Sequence, residues 1–255
     1  MPAVIDFHSH MLPGLDDGAD FISDSLQMAR MAREDGTRGV VLTPHHYQGR
    51  YNNGRKKVLA RTGELRQRLK KEGIGLVVFP AAEAHLCPNL PELAALNDIL
   101  TVNDLGRHLL VELPFSTLPA YTGSVLANLI NRGITPILAH PERCRPLVGD
   151  LDFLYSLLNR GVLLQINTGS ITGDFGREWE EVARLMVRQH WVHLLGSDAH
   201  SVNQRPPGLS RALERIENLA GSRAAGLISR KWPRQILQGR DISPWRPLPP
   251  PGRQI

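Results

Sequence analysis

Two histidines one residue apart, His8 and His10, follow a short apolar run, Val4-Ile5-Asp6-Phe7. In an extended segment residues i and i+2 share a face, so both imidazoles can reach one metal ion. The spacing alone proves little, because His-x-His also occurs on ordinary exposed strands. Near the other end of the chain, His193-Leu194-Leu195-Gly196 runs into Ser197-Asp198-Ala199-His200, again an apolar run ending in metal-binding groups. Between these two, five more apolar runs end in chemically capable residues. They deliver Thr43-Pro44-His45-His46, then Glu83, then Glu112, then His140-Pro141-Glu142-Arg143, then Asn167. Six of the seven runs thus supply a potential ligand and the other a polar amide.

The ligand set is His, Asp and Glu without thiolate. Mixed imidazole and carboxylate ligation suits manganese, zinc or iron, and the carboxylates tilt it toward the harder ions. Five histidines and up to four carboxylates exceed what one ion requires, so two or three ions with a bridging carboxylate are expected. Ions held ~3.5–4 Å apart stabilise the entering and leaving oxygens of an in-line displacement and acidify a bridging water. That chemistry suits phosphoester hydrolysis.

Helical segments must position these run ends. Gly36, Gly73, Gly133 and Gly161 each follow a helical stretch with cationic residues in its last turn and precede an apolar run. A glycine there fits the left-handed residue that ends a helix. The runs are continuously apolar rather than alternating, as parallel strands covered on both faces require. Alternating strands and helices leave an open doubly wound sheet or a closed barrel. An open sheet gathers its site at one switch point, whereas a barrel brings every strand's C-terminal end to one rim. The ligand pattern therefore predicts an α/β fold with seven strands closed into a barrel and a metal site on the C-terminal rim.

The chain has 255 residues, 42% of them apolar and 5% aromatic, with a net charge of +5. Sparse aromatics argue against a base-stacking surface, and no nucleic acid partner is expected. No apolar run approaches the ~20 residues of a membrane span. No secretory signal is visible at the N-terminus, so a cytoplasmic location is expected. Cys87 and Cys144 are too few for a disulfide framework, and neither is followed by the arginine of a Cys-x5-Arg phosphatase loop. One domain is expected over residues 1–242, followed by a proline-rich tail, 243–255, expected to be disordered.

Taken in order, His8-Ser9-His10, Asp16-Asp17-Gly18, Thr43-Pro44-His45-His46, Glu83, Glu112, His140-Pro141-Glu142-Arg143 and Ser197-Asp198-Ala199-His200 resemble the polymerase and histidinol phosphatase (PHP) superfamily. More narrowly, they resemble its bacterial metal-dependent tyrosine phosphatases of capsule and exopolysaccharide synthesis. The resemblance spans residues 3 to 240. It implies a distorted (β/α)7 TIM-like barrel and a trinuclear site, commonly manganese-dependent, with iron or zinc as alternatives. By position, His8, His10, Glu83 and Asp198 would hold the first ion. Glu83 would bridge to a second completed by Glu112 and His140, and Asp17, His45 and His200 would hold a third. Arg143 and Arg205 would grip the phosphate, for which a planar guanidinium is well shaped. The reaction implied is in-line attack of metal-bound hydroxide on phosphotyrosine. The implied partner is an autophosphorylating tyrosine kinase of polysaccharide export.

Residue chemistry alone leaves several choices open. Asp16 competes with Asp17, His45 with His46, and Arg145 with Arg143; Arg143 could instead pair with Glu142. Asn167 could orient substrate or satisfy backbone groups. His85, His108, His190 and His193 match no ligand position. The same site could serve a small-molecule phosphatase, such as a histidinol phosphatase, or a nuclease. A non-catalytic module stabilised by metal is the reading outside enzymology.

Overall fold

The apolar runs become parallel strands, and the intervening segments become helices. The computed structural model describes residues 3–252. In chain order the elements are β1 (Val4–Ser9), α1 (Ile22–Glu34), β2 (Thr37–Leu42), β3 (His45–His46), α2 (Arg55–Lys71), β4 (Val77–Pro80), β5 (Glu83–His85), α3 (Leu90–Ala95) and β6 (His108–Glu112). They continue with α4 (Thr122–Asn131), β7 (Thr135–Ala139), α5 (Arg145–Val148), α6 (Leu151–Asn159), β8 (Leu163–Asn167), α7 (Thr168–Thr172), α8 (Arg177–Arg188), β9 (Leu194–Gly196), α9 (Ser210–Gly226) and α10 (Trp232–Leu237). The glycines expected to end α1, α2, α4 and α6 have φ of 101°, 66°, 78° and 93°, the left-handed exits that their positions required.

The strands pair in parallel as β1-β2-β4 and as β3-β5-β6-β7-β8-β9. Two of the seven expected strands are therefore each divided in two. The second breaks at Thr43-Pro44, since Pro44 has no N–H to give a ladder; the third breaks at Ala81-Ala82. Hydrogen bonds cross both breaks, Ala81 N–H to Leu42 O at 2.9 Å and Glu83 N–H to Pro44 O at 3.1 Å. At the other margin β1 meets the segment after β9. His10 N–H donates to Ala199 O at 2.9 Å and Asp198 N–H to His8 O at 2.8 Å.

Both sheet faces are buried, which is why the strands read as unbroken apolar runs. Ile5, Phe7, Val41, Leu110, Ile137, Leu163 and Leu194 form one cluster with Ile236 and Leu237 of α10. Val40, Leu42, Leu109, Val111, Leu138, Leu164 and Leu195 face the helices, among them Leu126 of α4, Leu154 of α6 and Met186 of α8. Each fully buried side chain of this size contributes about 1.5–3 kcal/mol. No described helix is long and apolar enough to cross a membrane.

The described part of the proline-rich segment has no helix or strand. It is nevertheless fastened: Trp191 Nε1 donates to Leu248 O at 2.7 Å, and Trp245 packs edge-on to Trp232 at 5.7 Å. Residues 253–255 of that tail lie outside the described residues.

Candidate metal centre

On β1, Ile5 and Phe7 point to the apolar cluster while Asp6 and His8 point the other way, and His10 continues that second row. Gly196 makes room for it, since a Cβ there would sit 2.4 Å from the Cβ of His8. His8 Nδ1 donates to Gln165 Oε1 at 2.8 Å, and His10 Nδ1 to Asp16 Oδ2 at 2.7 Å. An amide oxygen and a carboxylate can only accept, so each Nδ1 carries the proton. Both Nε2 lone pairs are thereby turned inward, 3.1 Å apart.

Glu83 is fully buried at the centre. Its Oε2 has no hydrogen-bond partner. Yet it lies 2.9 Å from His45 Nδ1, 3.2 Å from His8 Nε2 and 3.3 Å from His10 Nε2. Its Oε1 lies 2.9 Å from His140 Nε2. Asp198 Oδ1 is 3.5 Å from His8 Nε2 and 3.3 Å from His10 Nε2. Glu112 reaches His45 Nδ1 at 3.7 Å and His140 Nε2 at 4.0 Å. Asp17 Oδ1 sits 3.5 Å from His45 Nε2 and 3.6 Å from His200 Nε2.

All nine candidate ligands thus meet in one bowl. Their donor atoms fall into four overlapping groups, each within 4.8 Å: His10-Asp17-His45-His200, His8-His10-Asp198, His8-Glu83-His140 and His45-Glu83-Glu112. Inward lone pairs around an unpartnered carboxylate oxygen are what cations complete, so the residues fit a cluster of divalent ions. His140 and Asp198 also hold left-handed backbones, with φ of 32° and 53°. Such conformations cost non-glycine residues on the order of 1–3 kcal/mol and recur at functional sites.

Electrostatics follow the same geometry. Burial pushes the Glu83 and Asp198 carboxyls up, but the surrounding imidazoles, His8 foremost, hold both well below the usual carboxylate range. Burial pulls His10 down, yet Asp16 overrides it and lifts the ring well above its ordinary value. His200 goes the other way, driven down by burial and by its neighbour His10.

A second layer fixes the first. Asn167 Nδ2 donates to Asp198 Oδ2 at 2.7 Å, and Gln165 Nε2 donates to Asn167 Oδ1 at 2.9 Å. Asp6 accepts from Ser197 N–H at 2.8 Å and Ser197 Oγ at 2.5 Å, joining β1 to the loop after β9. Burial raises the Asp6 carboxyl to about 6. Arg205 Nη2 contacts Asp198 Oδ2, and Arg143 Nη1 approaches the same oxygen at 3.8 Å.

Comparison with known proteins identifies the family. Residues 4–238 match the family model for capsular polysaccharide synthesis, CpsB/CapC. The chain belongs to the CpsB/CapC family. Among its family relatives, the tyrosine-protein phosphatase YwqE of Bacillus subtilis (strain 168) is 36% identical over 219 residues, 86% of each chain. The putative tyrosine-protein phosphatase CapC of Staphylococcus aureus is 34% identical over 203 residues, 80% of this chain and 79% of that one. A crystal structure from work on YwqE of Bacillus subtilis and CpsB of Streptococcus pneumoniae, described as unique metal-dependent tyrosine phosphatases, superposes with a TM-score of 0.92. It is 34% identical and covers 96% of this chain and 98% of that one.

In this CpsB/CapC family member the competing candidates face different ways. Asp17 faces the bowl, whereas Asp16 turns back to hold His10 and the His45 N–H, the latter at 2.8 Å. His45 faces inward while His46 Nδ1 lies 3.2 Å from Asn53 O. Arg145 points outward to Glu178 at 3.2 Å. Glu142 does not pair with Arg143; it is buried and accepts the Asn167 N–H at 2.9 Å. His85 matches no expected ligand position, yet its Nδ1 stands 3.5 Å from Glu112 Oε2. Gln165, Asp6 and the structural role of Asp16 escape a reading by ligand type, because amides and backbone acceptors carry no metal signature.

Proposed function

We propose that the nine-residue bowl is the multi-metal active site of this protein, and that it hydrolyses phosphotyrosine in proteins. As a CpsB/CapC family member the chain is a metal-dependent protein-tyrosine phosphatase, an enzyme of the hydrolase class. The observation that carries the site assignment is Glu83 Oε2, buried without a hydrogen bond and ringed by His45, His8 and His10 at 2.9, 3.2 and 3.3 Å. His8, His10, Glu83 and Asp198 would hold one ion; Glu83, Glu112 and His140 a second; Asp17, His45 and His200 a third. Manganese is the proposed ion, with iron or zinc fitting the same donors. When bound, such ions lend Lewis-acid charge to water and to phosphoryl oxygens.

The chain's own residues do the positioning. Gln165 and Asp16 fix the tautomers of His8 and His10, and Asn167 steadies Asp198. Arg143 and Arg205 converge from one side of the bowl and are proposed to bind the equatorial phosphate oxygens, countering the charge that builds there. The hydrogen bonds joining β1 to the segment after β9 support reading the strands as a closed, distorted (β/α)7 barrel. One catalytic unit over residues 1–242 and action in the cytoplasm are part of the same proposal. The proposed physiological substrate is an autophosphorylating tyrosine kinase of polysaccharide export.

The test is a side-by-side assay of the manganese-loaded protein on phosphotyrosine peptide, histidinol phosphate and single-stranded DNA. Preference for the peptide supports the assignment, and preference for either of the others overturns it. A purified protein without bound transition metal that also fails to hydrolyse an aryl phosphate after manganese addition would instead indicate a non-catalytic module.

A further inference from the structure

The bowl's mouth carries an arrangement that the hydrolytic chemistry alone does not require. Arg143 Cζ lies 4.7 Å from the centre of the Phe115 ring and 4.9 Å from that of Phe175. Its one ion pair among the described residues is the 3.8 Å approach to Asp198 Oδ2, too long for a hydrogen bond. The cation is therefore held by two aromatic faces rather than by carboxylates. A carboxylate partner would occupy the guanidinium N–H donors. An aromatic face attracts the cation through its quadrupole and leaves those in-plane donors for an anion.

Both rings are themselves placed. Phe175 N–H donates to Gly169 O at 3.1 Å. A Cβ on Gly169 would come within 2.6–2.8 Å of three Phe175 ring carbons, so the ring lies directly on the glycine backbone. The second guanidinium, Arg205, also stands over this ring at 5.7 Å. Phe115, on the loop between β6 and α4, leans on the His140 ring at 5.4 Å and is 43% exposed. An exposed phenylalanine beside a charged bowl needs a reason, and Arg143 supplies one.

We propose that Phe115 and Phe175 are positioning residues that clip the Arg143 guanidinium between them, so that it meets a phosphate group with its donors unspent. The proposal rests on the phosphatase reading and adds to it the residues that set phosphate affinity. The experiment uses the full chain loaded with manganese, with inorganic phosphate as probe. Phe115→Leu should raise the phosphate inhibition constant by about 3- to 10-fold, the worth of one partly desolvated cation–π contact. Phe115→Tyr, which keeps the ring, should restore it. In an Arg143→Ala background the Leu substitution should change phosphate affinity by less than about 2-fold, because the group it acts through is gone.

An unchanged inhibition constant in Phe115→Leu overturns the clip. So does an effect that persists undiminished without Arg143, which would place Phe115 in direct contact with the ligand. Failure of the underlying reading looks different: wild type would not hydrolyse phosphotyrosine peptide at all. Phosphate affinity by calorimetry would then still report on the clip.

Discussion

Replacing Gln165 with leucine should loosen the centre without removing any proposed ligand. Gln165 is fully buried and makes three hydrogen bonds, from His8 Nδ1 at 2.8 Å, to Ile166 O at 2.7 Å and to Asn167 Oδ1 at 2.9 Å. Leucine is close in size, so the cavity term is small and the loss is polar. It strands the His8 N–H and the Asn167 carbonyl in the interior, each costing about 1–3 kcal/mol. The sum, about 4 kcal/mol, corresponds to a melting point about 10 °C lower for a chain of this length. His8 would also lose the partner that fixes its tautomer, and disturbing such a partner typically weakens metal binding about 10- to 100-fold. Gln165→Glu separates the two effects. It returns an acceptor to His8 but no donor to Asn167, so metal affinity should recover while stability should not. The assays are calorimetric melting of metal-free protein and manganese titration against a competing chelator. A leucine variant with wild-type manganese stoichiometry and affinity would refute the reasoning, whatever its activity.

Four further outcomes are expected. His10→Ala should abolish hydrolysis of an aryl phosphate while far-ultraviolet circular dichroism stays native, since the side chain serves the bowl rather than the apolar clusters. Gly196→Ala should also abolish hydrolysis, because the added methyl would lie 2.4 Å from His8 Cβ and must displace it; a fully active variant would refute this packing. Burial holds the His193 ring down at about 3, and its Nδ1 accepts the Leu164 N–H at 3.0 Å. Between that value and the unfolded value near 6.5 the unfolded chain binds the extra proton, so stability is full above pH 6.5 and falls as pH drops toward 3. At pH 4.5 the loss from this residue is about 3 kcal/mol, and urea midpoints of His193→Gln should fall less steeply with acid than those of wild type. Trp191→Phe removes the donor to Leu248 O, so the segment after residue 243 should be cut faster in limited proteolysis; the lost hydrogen bond costs about 1 kcal/mol, and the cavity left by the smaller ring at this fully buried position adds to it.

The parts of this protein that were legible in sequence are those with a chemical or conformational signature. Ligand-type residues at the ends of apolar runs marked the bowl, and glycines after cationic turns marked four helix exits. What was hidden depends on direction rather than type. Asp16 and Asp17 are adjacent and alike, and only the turn's geometry sends one into the bowl and the other behind His10. Gln165 and Glu142 act through neighbours distant in sequence, Gln165 on His8 and Glu142 on the Asn167 N–H, and neither pairing has a spacing rule. The breaks in the second and third strands follow from local pairing; Pro44 hints at one, while Ala81-Ala82 carries no such sign. In the tail, prolines announced the lack of helix and strand but not the anchoring by Trp191 and Trp245. Phe115 and Phe175 lie in irregular segments where periodicity says nothing.

The Asp6–Ser197 clasp spans 191 positions, and it bears on when the protein becomes able to act. His8 and His10 leave the ribosome well before Asp198 and His200, and the strands from β2 to β9 are made in between. Contacts of such sequence separation form late, because the loop that they close must be ordered first. A nascent chain therefore displays two inward histidines with no Asp198 to oppose them, and cannot complete the bowl. In this protein the order of synthesis itself delays competence until the last strand has docked against the first.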